Sequence, residues 1–385
     1  MLVSKLIARI EERRLTMSYI GRMIFWGLLE LGIAMLLNCI WGHGAEEMRS
    51  GDTLLIDFRH EVRYFTGAPS IYPWPDYRLL QDEINNRILN AALSGATQAE
   101  FERAGITEAA SRLDALVRGQ CLHVEGGVYR ISFPVIYGEA RQSIRAIVDA
   151  AAASAVPSAA EMVASLERAA PGRRDVLFHL LWSRSMDQFW WSAWTIVHGK
   201  SKNAKDGIPA VAYVLSPDHS RQVGTNYNDL PGDGQIAVTW SNKAQSHVKP
   251  IGNLRIGLTQ MAWGLPPTAP EAVKALRAAG CLNEAGHLKP FVIHNGDHVD
   301  KLTREIARQY ATLVANLYDY DALASRFRIA PGQMFVILQH ETAFAIYDLL
   351  IARGDLAFPD ALEREGNPEA CAQLVSLRLK KRLKQ

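Results

Sequence analysis

The sequence predicts an α+β fold that is predominantly α-helical, with short β-hairpins between the helices. Apolar residues recur at steps of three and four along much of the chain, which is the spacing of a helix with one buried face. Short alternating runs bounded by glycine, such as residues 122–133, predict hairpins. A content of 48% hydrophobic and 21% charged residues is typical of globular proteins, and 385 residues suffice for two or three cores.

Helix breakers and shifts in composition divide the chain into four expected regions. Residues 1–50 carry a hydrophobic segment that resembles a membrane anchor or a signal, and residues 51–143 form a first domain. Residues 144–264 combine an aromatic helical region with a β-hairpin that has a long polar loop, and residues 265–385 form a C-terminal helical domain with a basic tail.

The hydrophobic segment covers 19 residues, 23–41, and is long enough to cross the hydrocarbon core of a membrane. Basic residues precede it, whereas Glu46 and Glu47 follow it. By the positive-inside rule, the N-terminus lies in the cytoplasm and the C-terminal domain on the other side. We therefore expect a membrane-associated protein whose main part is extracytoplasmic, with a cleaved signal as a variant.

Glu30 leaves two alternatives to this anchor open. An acidic residue near the centre of a span costs about 2.5–3.5 kcal/mol, which roughly cancels the contribution of the apolar residues around it. In the first alternative, the segment is a buried core helix of a cytoplasmic protein. In the second, the chain starts at Met48.

Three helices are predicted between residues 76 and 119. The first has apolar residues on one face from Leu80 to Ala92. The second begins with the pair Thr97 and Glu100, which has the form of a capping box. The third is predicted to be capped by Thr107 and to end before Gly119, and the pair Gly126-Gly127 then joins two short strands.

This order of three helices and a hairpin resembles a winged helix-turn-helix module over residues 76–136. The resemblance implies that Arg112 and Arg118 of the third helix face nucleic acid if the module binds DNA. However, the stretch has eight acidic and six basic residues, and this net charge of minus two argues against a phosphate-binding surface. We expect a packing or protein-contact module, with a DNA-binding regulator as the alternative.

Two weaker echoes of the same pattern follow. Residues 271–293 and 320–358 each contain a helix that ends at a glycine, followed by leucine. A repeated winged-helix-like unit is one hypothesis for them, although helices that end at glycine are common.

An aromatic helix is predicted after Gly172. Phe178, Trp182, Trp190 and Trp194 recur at multiples of four residues, which places them on one face. Such a helix is a core element or one wall of a ligand pocket. In the second case Trp190 and Trp194 contact the ligand, and the polar groups come from Arg184, Asp187 and His198.

A polar loop of nearly twenty residues, 216–234, is predicted between strands at 211–215 and 235–240. Loops of this length in a compact domain are often functional. The candidate ligand-binding residues are His219, Asn226, Asn228 and Asp229, which are equally typical of an exposed turn.

The densest chemical cluster comprises His294, Asp297, His298 and Asp300. Imidazoles and carboxylates at this density are candidate catalytic residues, as metal ligands or as an acid–base pair. The alternative is structural, because aspartate at position 297 is well placed to cap a helix that begins near Val299.

Several function classes lose support from missing motifs. The four cysteines are far apart with no Cys-x-x-Cys pair, and Gly199-Lys200-Ser201 lacks the upstream glycine of a phosphate-binding loop. The sequence identifies no cofactor and leaves open whether the chain is an enzyme. We expect a membrane-tethered protein with a noncatalytic interaction or ligand-binding role whose protein or small-molecule partner is unknown. The alternatives are a DNA-binding transcriptional regulator and a metal-dependent hydrolase that uses residues 294–300.

Overall fold

The structure is a computed structural model. The residues it describes are 55–65, 72–187, 190–198, 210–215, 223–230, 234–241, 255–265, 270–363 and 373–379. The hydrophobic segment predicted at 23–41 lies outside these ranges. The chain forms two units, Met1–Leu55 and Ile56–Gln385, and the helices and strands described lie in the second. Helices contain 58% of the described residues, which confirms the α+β class with a predominance of helix.

The first part of the larger unit contains the elements of the predicted helical module. In chain order they are α1 (Phe58–Glu61), β1 (Val62–Phe65), α2 (Tyr77–Leu80), α3 (Glu83–Ala91), α4 (Gln98–Arg103), α5 (Ala109–Arg118), β2 (Leu122–Glu125), β3 (Val128–Ile131) and β4 (Val135–Ile136).

The rest contains long helices and a second sheet. The elements are α6 (Gly138–Ala169), a 3₁₀ turn (Arg174–Val176), α7 (Leu177–Leu181), a π-helix (Trp182–Met186), α8 (Trp190–His198), β5 (Val211–Leu215), β6 (Val223–Leu230), β7 (Gly234–Ser241), α9 (Arg255–Ala262), α10 (Pro270–Ala278), β8 (Phe291–His294), α11 (His298–Ala315), α12 (Tyr320–Phe327), α13 (Pro331–Ala352), α14 (Asp360–Glu363) and β9 (Val375–Leu379).

Local signals position the elements of the first module. The capping box of Thr97 and Glu100 is present at the start of α4, as predicted. Gly126 and Gly127 both have positive φ angles, which is the conformation that a two-residue hairpin turn requires. The cap predicted at Thr107 is wrong, because α5 begins at Ala109 and its N-cap residue Glu108 makes no capping hydrogen bond.

The loop predicted at 216–234 contains a strand. β6 pairs antiparallel with β7, whereas residues 211–215 belong to a different sheet, so the predicted hairpin is wrong. Val223, Thr225 and Tyr227 alternate with glycine and asparagine in β6. This period of two is that of a strand, although glycine and asparagine on their own favour turns.

The two larger sheets share one arrangement of strands. In the sheet β1-β5-β4, the central β5 is antiparallel to β1 and parallel to β4. In the sheet β6-β7-β9-β8, β9 is likewise antiparallel to β7 and parallel to β8. β4 and β8 both lead into a long helix, α6 and α11 respectively. Residues 56–215 and 223–379 therefore repeat a strand order, and we call them the first and second halves.

The first predicted echo and the first module share one backbone hydrogen bond at the end of a helix. The N–H group of Cys121 donates to the carbonyl of Leu116 at the end of α5, and Cys281 donates to Leu276 at the end of α10, each at 2.9 Å. A short antiparallel bridge follows at Leu282 and Leu288. After the helix of the second echo, residues 355–363 contain no strand.

Each half packs a helix against the sheet of the other half. α13 belongs to the second half but packs on α6 and β5 of the first. Conversely, α7 and the π-helix belong to the first half but pack on β9 and β7. Buried residues between 56 and 133, together with Ala212 and Val214, form one hydrophobic core. Buried residues between 136 and 379 form another. Residues on both sides of the region boundary expected at position 264 contribute to this second core.

Two described helices, α6 and α13, are long and apolar enough to cross a membrane by length and composition. In the most apolar part of α13, 83% of the residues are buried inside the protein, compared with 39% for α6. Buried residues of α6 recur at helical spacing from Ile144 to Leu166, so that one face of this helix packs on the core.

Candidate functional site

The predicted cluster at 294–300 forms the connection between β8 and α11. The carboxylate of Asp297 accepts hydrogen bonds from the N–H groups of Asp300 (2.8 Å) and His294 (3.0 Å). Asp297 therefore caps α11, which is the structural alternative that the sequence left open.

Asp300 is buried and its carboxylate is neutralised by arginines. Its two oxygens lie 2.8 Å from Nε of Arg378 and 3.1 Å from Nε of Arg304, and one also accepts from the N–H group of Gly296. Both oxygens of this carboxylate are therefore engaged by neighbouring groups of the protein. His298 is exposed, and the described residues contain no group of three or more His, Cys, Asp or Glu that could hold a metal ion.

Three of the four candidate ligand-binding residues of the predicted loop lie on one strand. His219 lies outside the described residues, whereas Asn226, Asn228 and Asp229 lie on β6. The side chain of Asn226 accepts from the indole N–H of Trp240 at 3.3 Å. β6 and β8 are the two edges of one four-stranded sheet, so β6 lies three strand spacings, about 14 Å, from the strand whose end carries the cluster at 294–300.

The aromatic helix contributes to the core. Trp182 stacks on Phe344 with ring centroids 5.5 Å apart, and Trp194 packs edge-on against Phe335 at 5.2 Å. For Trp190 only the backbone, in α8, is described. Next to Trp182 is an apolar pocket of about 10 Å³ lined by Phe178, Phe344 and Tyr347 among others, which is room for about one water molecule. This pocket is too small for a substrate.

The two arginines predicted to contact nucleic acid have different environments. Arg112 lies 2.8 Å from the carboxylate of Asp82 and 3.2 Å from the side-chain oxygen of Asn85. Asp82 caps α3, and its hydrogen bond with Arg112 lowers the pKa of this carboxyl. Arg112 therefore stabilises the junction of two helices. Arg118 is exposed and has no hydrogen-bond or ion-pair partner among the described residues.

Sequence reasoning missed a buried charged cluster around Glu341. Glu341 lies in the middle of α13, is fully buried and forms an ion pair with Arg63 of β1. It also accepts hydrogen bonds from the Tyr213 hydroxyl at 2.7 Å and from Arg145 of α6 at 3.2 Å. Burial beside this carboxylate raises the pKa of Tyr213 well above its ordinary value. The signal in the sequence was an acidic residue between two apolar runs of one helix, residues 334–338 and 343–346.

A second buried cluster lies on the four-stranded sheet. The ring nitrogens of His179 lie 2.8 Å from the hydroxyls of Thr239 and Ser376. The Arg184 guanidinium donates to the Ser376 hydroxyl at 2.7 Å and to the Gln235 side chain at 2.6 Å. Burial lowers the pKa of His179 well below its ordinary value and that of Arg184 to about 9. His179 is therefore neutral. Its contacts hold α7 against β7 and β9 of the four-stranded sheet.

A third buried polar cluster lies where Asp187, the residue after the π-helix, contacts β6. The Tyr227 hydroxyl lies within hydrogen-bond distance of the Ser183 carbonyl and 3.2 Å from a carboxylate oxygen of Asp187. Burial raises the pKa of Asp187 to about 6. Asp187 was among the polar groups expected near the aromatic helix, but contact with residue 227 was not foreseen.

No family model matches the chain, and no curated protein and no solved structure matches it.

Proposed function

We propose that this chain is a noncatalytic binding protein that uses residues 76–136 as a winged-helix-like interaction module. The observation that carries the proposal is a contrast in how side chains are used. Asp297 and Asp300, two of the predicted catalytic residues, are held by internal hydrogen bonds and ion pairs, whereas the outer side of α5 and the β2–β3 hairpin are exposed.

One backbone contact supports the winged-helix-like description beyond the order of elements. Ala96, between α3 and α4, exchanges two backbone hydrogen bonds with Tyr129 of β3, at 2.8 and 3.0 Å. The hairpin therefore gains a short third strand that ties it to the helices. This contact gives the hairpin a fixed position next to α5.

The exposed surface of the module suits a protein partner better than DNA. On α5 it presents Ser111, Asp114 and Arg118, and on the hairpin it presents Val124, which is 47% exposed. Mixed charge with an apolar contact is typical of a protein interface, whereas a phosphate-binding surface is basic. Arg112, which the DNA-binding alternative requires, is engaged with Asp82.

We further propose that residues 23–41 tether the protein to a membrane, with the interaction module outside the cytoplasm. Support for this part comes from the length of the segment and from the basic residues before it. The test is fractionation of cells that express the full chain or a chain without residues 1–54. The proposal expects the full chain in the membrane pellet after a high-salt wash and the shortened chain in the supernatant. A full chain in the supernatant would contradict the tether.

A titration with duplex DNA separates the binding proposal from the DNA-binding alternative. The proposal expects no binding by the full chain at about 50 mM salt, where phosphate contacts are strong. Binding that weakens steeply with salt and on substitution of Arg118 by alanine would favour the alternative instead.

A further inference from the structure

When Asp187 is ionised, the contact between the π-helix and β6 brings two acceptors, the Ser183 carbonyl and the Asp187 carboxylate, to the single hydrogen of the Tyr227 hydroxyl. The Tyr227 hydroxyl has one hydrogen, and both the Ser183 carbonyl and the Asp187 carboxyl lie within its reach. Only one of them can receive that hydrogen. When the Tyr227 hydroxyl donates to the Ser183 carbonyl, its contact with Asp187 is a hydrogen bond only if the carboxyl of Asp187 is protonated and donates to the tyrosine oxygen.

The surroundings of Asp187 favour the neutral acid. From its own segment, Arg184 is nearby, but its guanidinium donates to Gln235 and Ser376 on the four-stranded sheet. The groups that face Asp187 from the other elements are hydroxyls: Thr225 and Tyr227 of β6, Tyr310 of α11 and Tyr347 of α13. Among the described residues no cation forms an ion pair with this carboxyl. Burial accordingly raises its pKa to about 6.

We propose that Asp187 is a proton-operated switch between the π-helix and strand β6. In the neutral state, Asp187 donates to Tyr227 and Tyr227 donates to the Ser183 carbonyl, so that a chain of two hydrogen bonds clamps the π-helix to β6. On ionisation the proton passes to solvent, and the Tyr227 hydrogen turns to the carboxylate. The Ser183 carbonyl then loses its contact with β6.

Because the switch lies at β6, its release affects the edge of the four-stranded sheet. β6 is an edge strand, and its only partner in the sheet is β7 among the described strands. The π-helix is a departure from regular helix geometry, and such departures occur frequently at functional sites. Release of Ser183 therefore loosens a segment that packs against the edge of the sheet, with Asn226 and Asn228 beside it.

Hydrogen exchange of the full chain, expressed as protection factors at pH 5 and pH 7.5, tests the switch. We expect protection of peptides from 182–187 and 223–230 to fall by about tenfold to a hundredfold at the higher pH, since each pKa unit is worth a factor of ten. Peptides from α5 serve as the control and keep their protection.

Two variants make the test specific. Asp187→Asn cannot ionise and its amide still donates to Tyr227, so its protection stays high at both pH values. Tyr227→Phe removes the shared hydroxyl, so the pH response of Ser183 disappears, and this variant serves if the first does not fold. Wild-type protection that does not change with pH would overturn the proposal. So would a fall of equal size in either variant.

Discussion

Arg63 of β1 and Glu341 of α13 form a buried ion pair although they are 278 positions apart in the chain. The pair joins the first strand of one half to a helix of the other. Tyr213 and Arg145 complete the contacts of the carboxylate, so Glu341 is fixed by groups from three different elements. This cluster holds α13, a helix of the second half, against the three-stranded sheet of the first half.

We expect Glu341→Gln to lower the free energy of unfolding by about 3 kcal/mol or more, because it leaves the buried Arg63 without its counter-charge. Chemical denaturation followed by circular dichroism measures the change. The matched control is Asp149→Asn, which removes a carboxylate that also contacts Arg145 but is 59% exposed. The control should cost less than about 1 kcal/mol. Equal losses would show that Glu341 does not hold the helix.

We expect Arg112→Ala and Arg118→Ala to differ in stability although both lie on α5. Arg112 bridges to Asp82 and Asn85, so its loss should lower the free energy of unfolding by about 1 kcal/mol. Arg118 is exposed, and its substitution should change stability by less than about 0.5 kcal/mol. Thermal unfolding of the two variants is the comparison. A larger loss for Arg118→Ala than for Arg112→Ala would contradict the stabilising role assigned to Arg112.

Gly224→Ala tests whether residues 223–230 form a strand. An added Cβ atom at Gly224 would lie 2.3 Å from the ring of Trp240 on β7, so we expect a loss of about 1–3 kcal/mol. Asp229→Ala, at an exposed position of the same strand, should change stability by less than about 0.5 kcal/mol. Urea unfolding curves distinguish the two. If residues 223–230 were a free loop, both substitutions would be nearly neutral.

Asp187 gives the stability of the protein a defined pH dependence. Its pKa is about 6 in the folded chain and 3.8 as an isolated group, so the folded state binds its proton more tightly. The resulting stabilisation is complete below about pH 4 and is lost as the pH rises through 6. Asp187→Asn should therefore be more stable than the wild type by about 1–3 kcal/mol at pH 7.5, and the difference should vanish near pH 4. A difference that is independent of pH would contradict the assigned ionisation.

Local signals in the sequence predicted the first module well, whereas contacts between distant residues were not predictable. Thr97, Glu100 and the pair Gly126-Gly127 act through neighbours a few positions away, and each has the predicted role. His179 contacts Ser376, which is 197 positions away in the chain. This contact and those of Glu341 form because each half packs a helix against the sheet of the other half. Nothing in the composition of either segment specifies that packing.

The predicted sites show the same distinction. Asp297 is in a helix cap, as its position before α11 suggested, whereas the ion pair of Arg112 with Asp82 was not predicted. β6 was interpreted as a loop because asparagine and glycine favour turns, although its alternation had the period of a strand. Pairing with β7 outweighs that local preference.

Photo-crosslinking in cells tests the proposed interaction surface most directly. A photoreactive amino acid replaces Asp114 on α5 or Val124 on the hairpin, and the matched control replaces Arg308, an exposed residue of α11. We predict that the two module positions give the same discrete adduct of one partner protein and that the control gives none. Adducts of equal yield from Arg308, or none from the module while the protein is folded and at the membrane, would contradict the central claim.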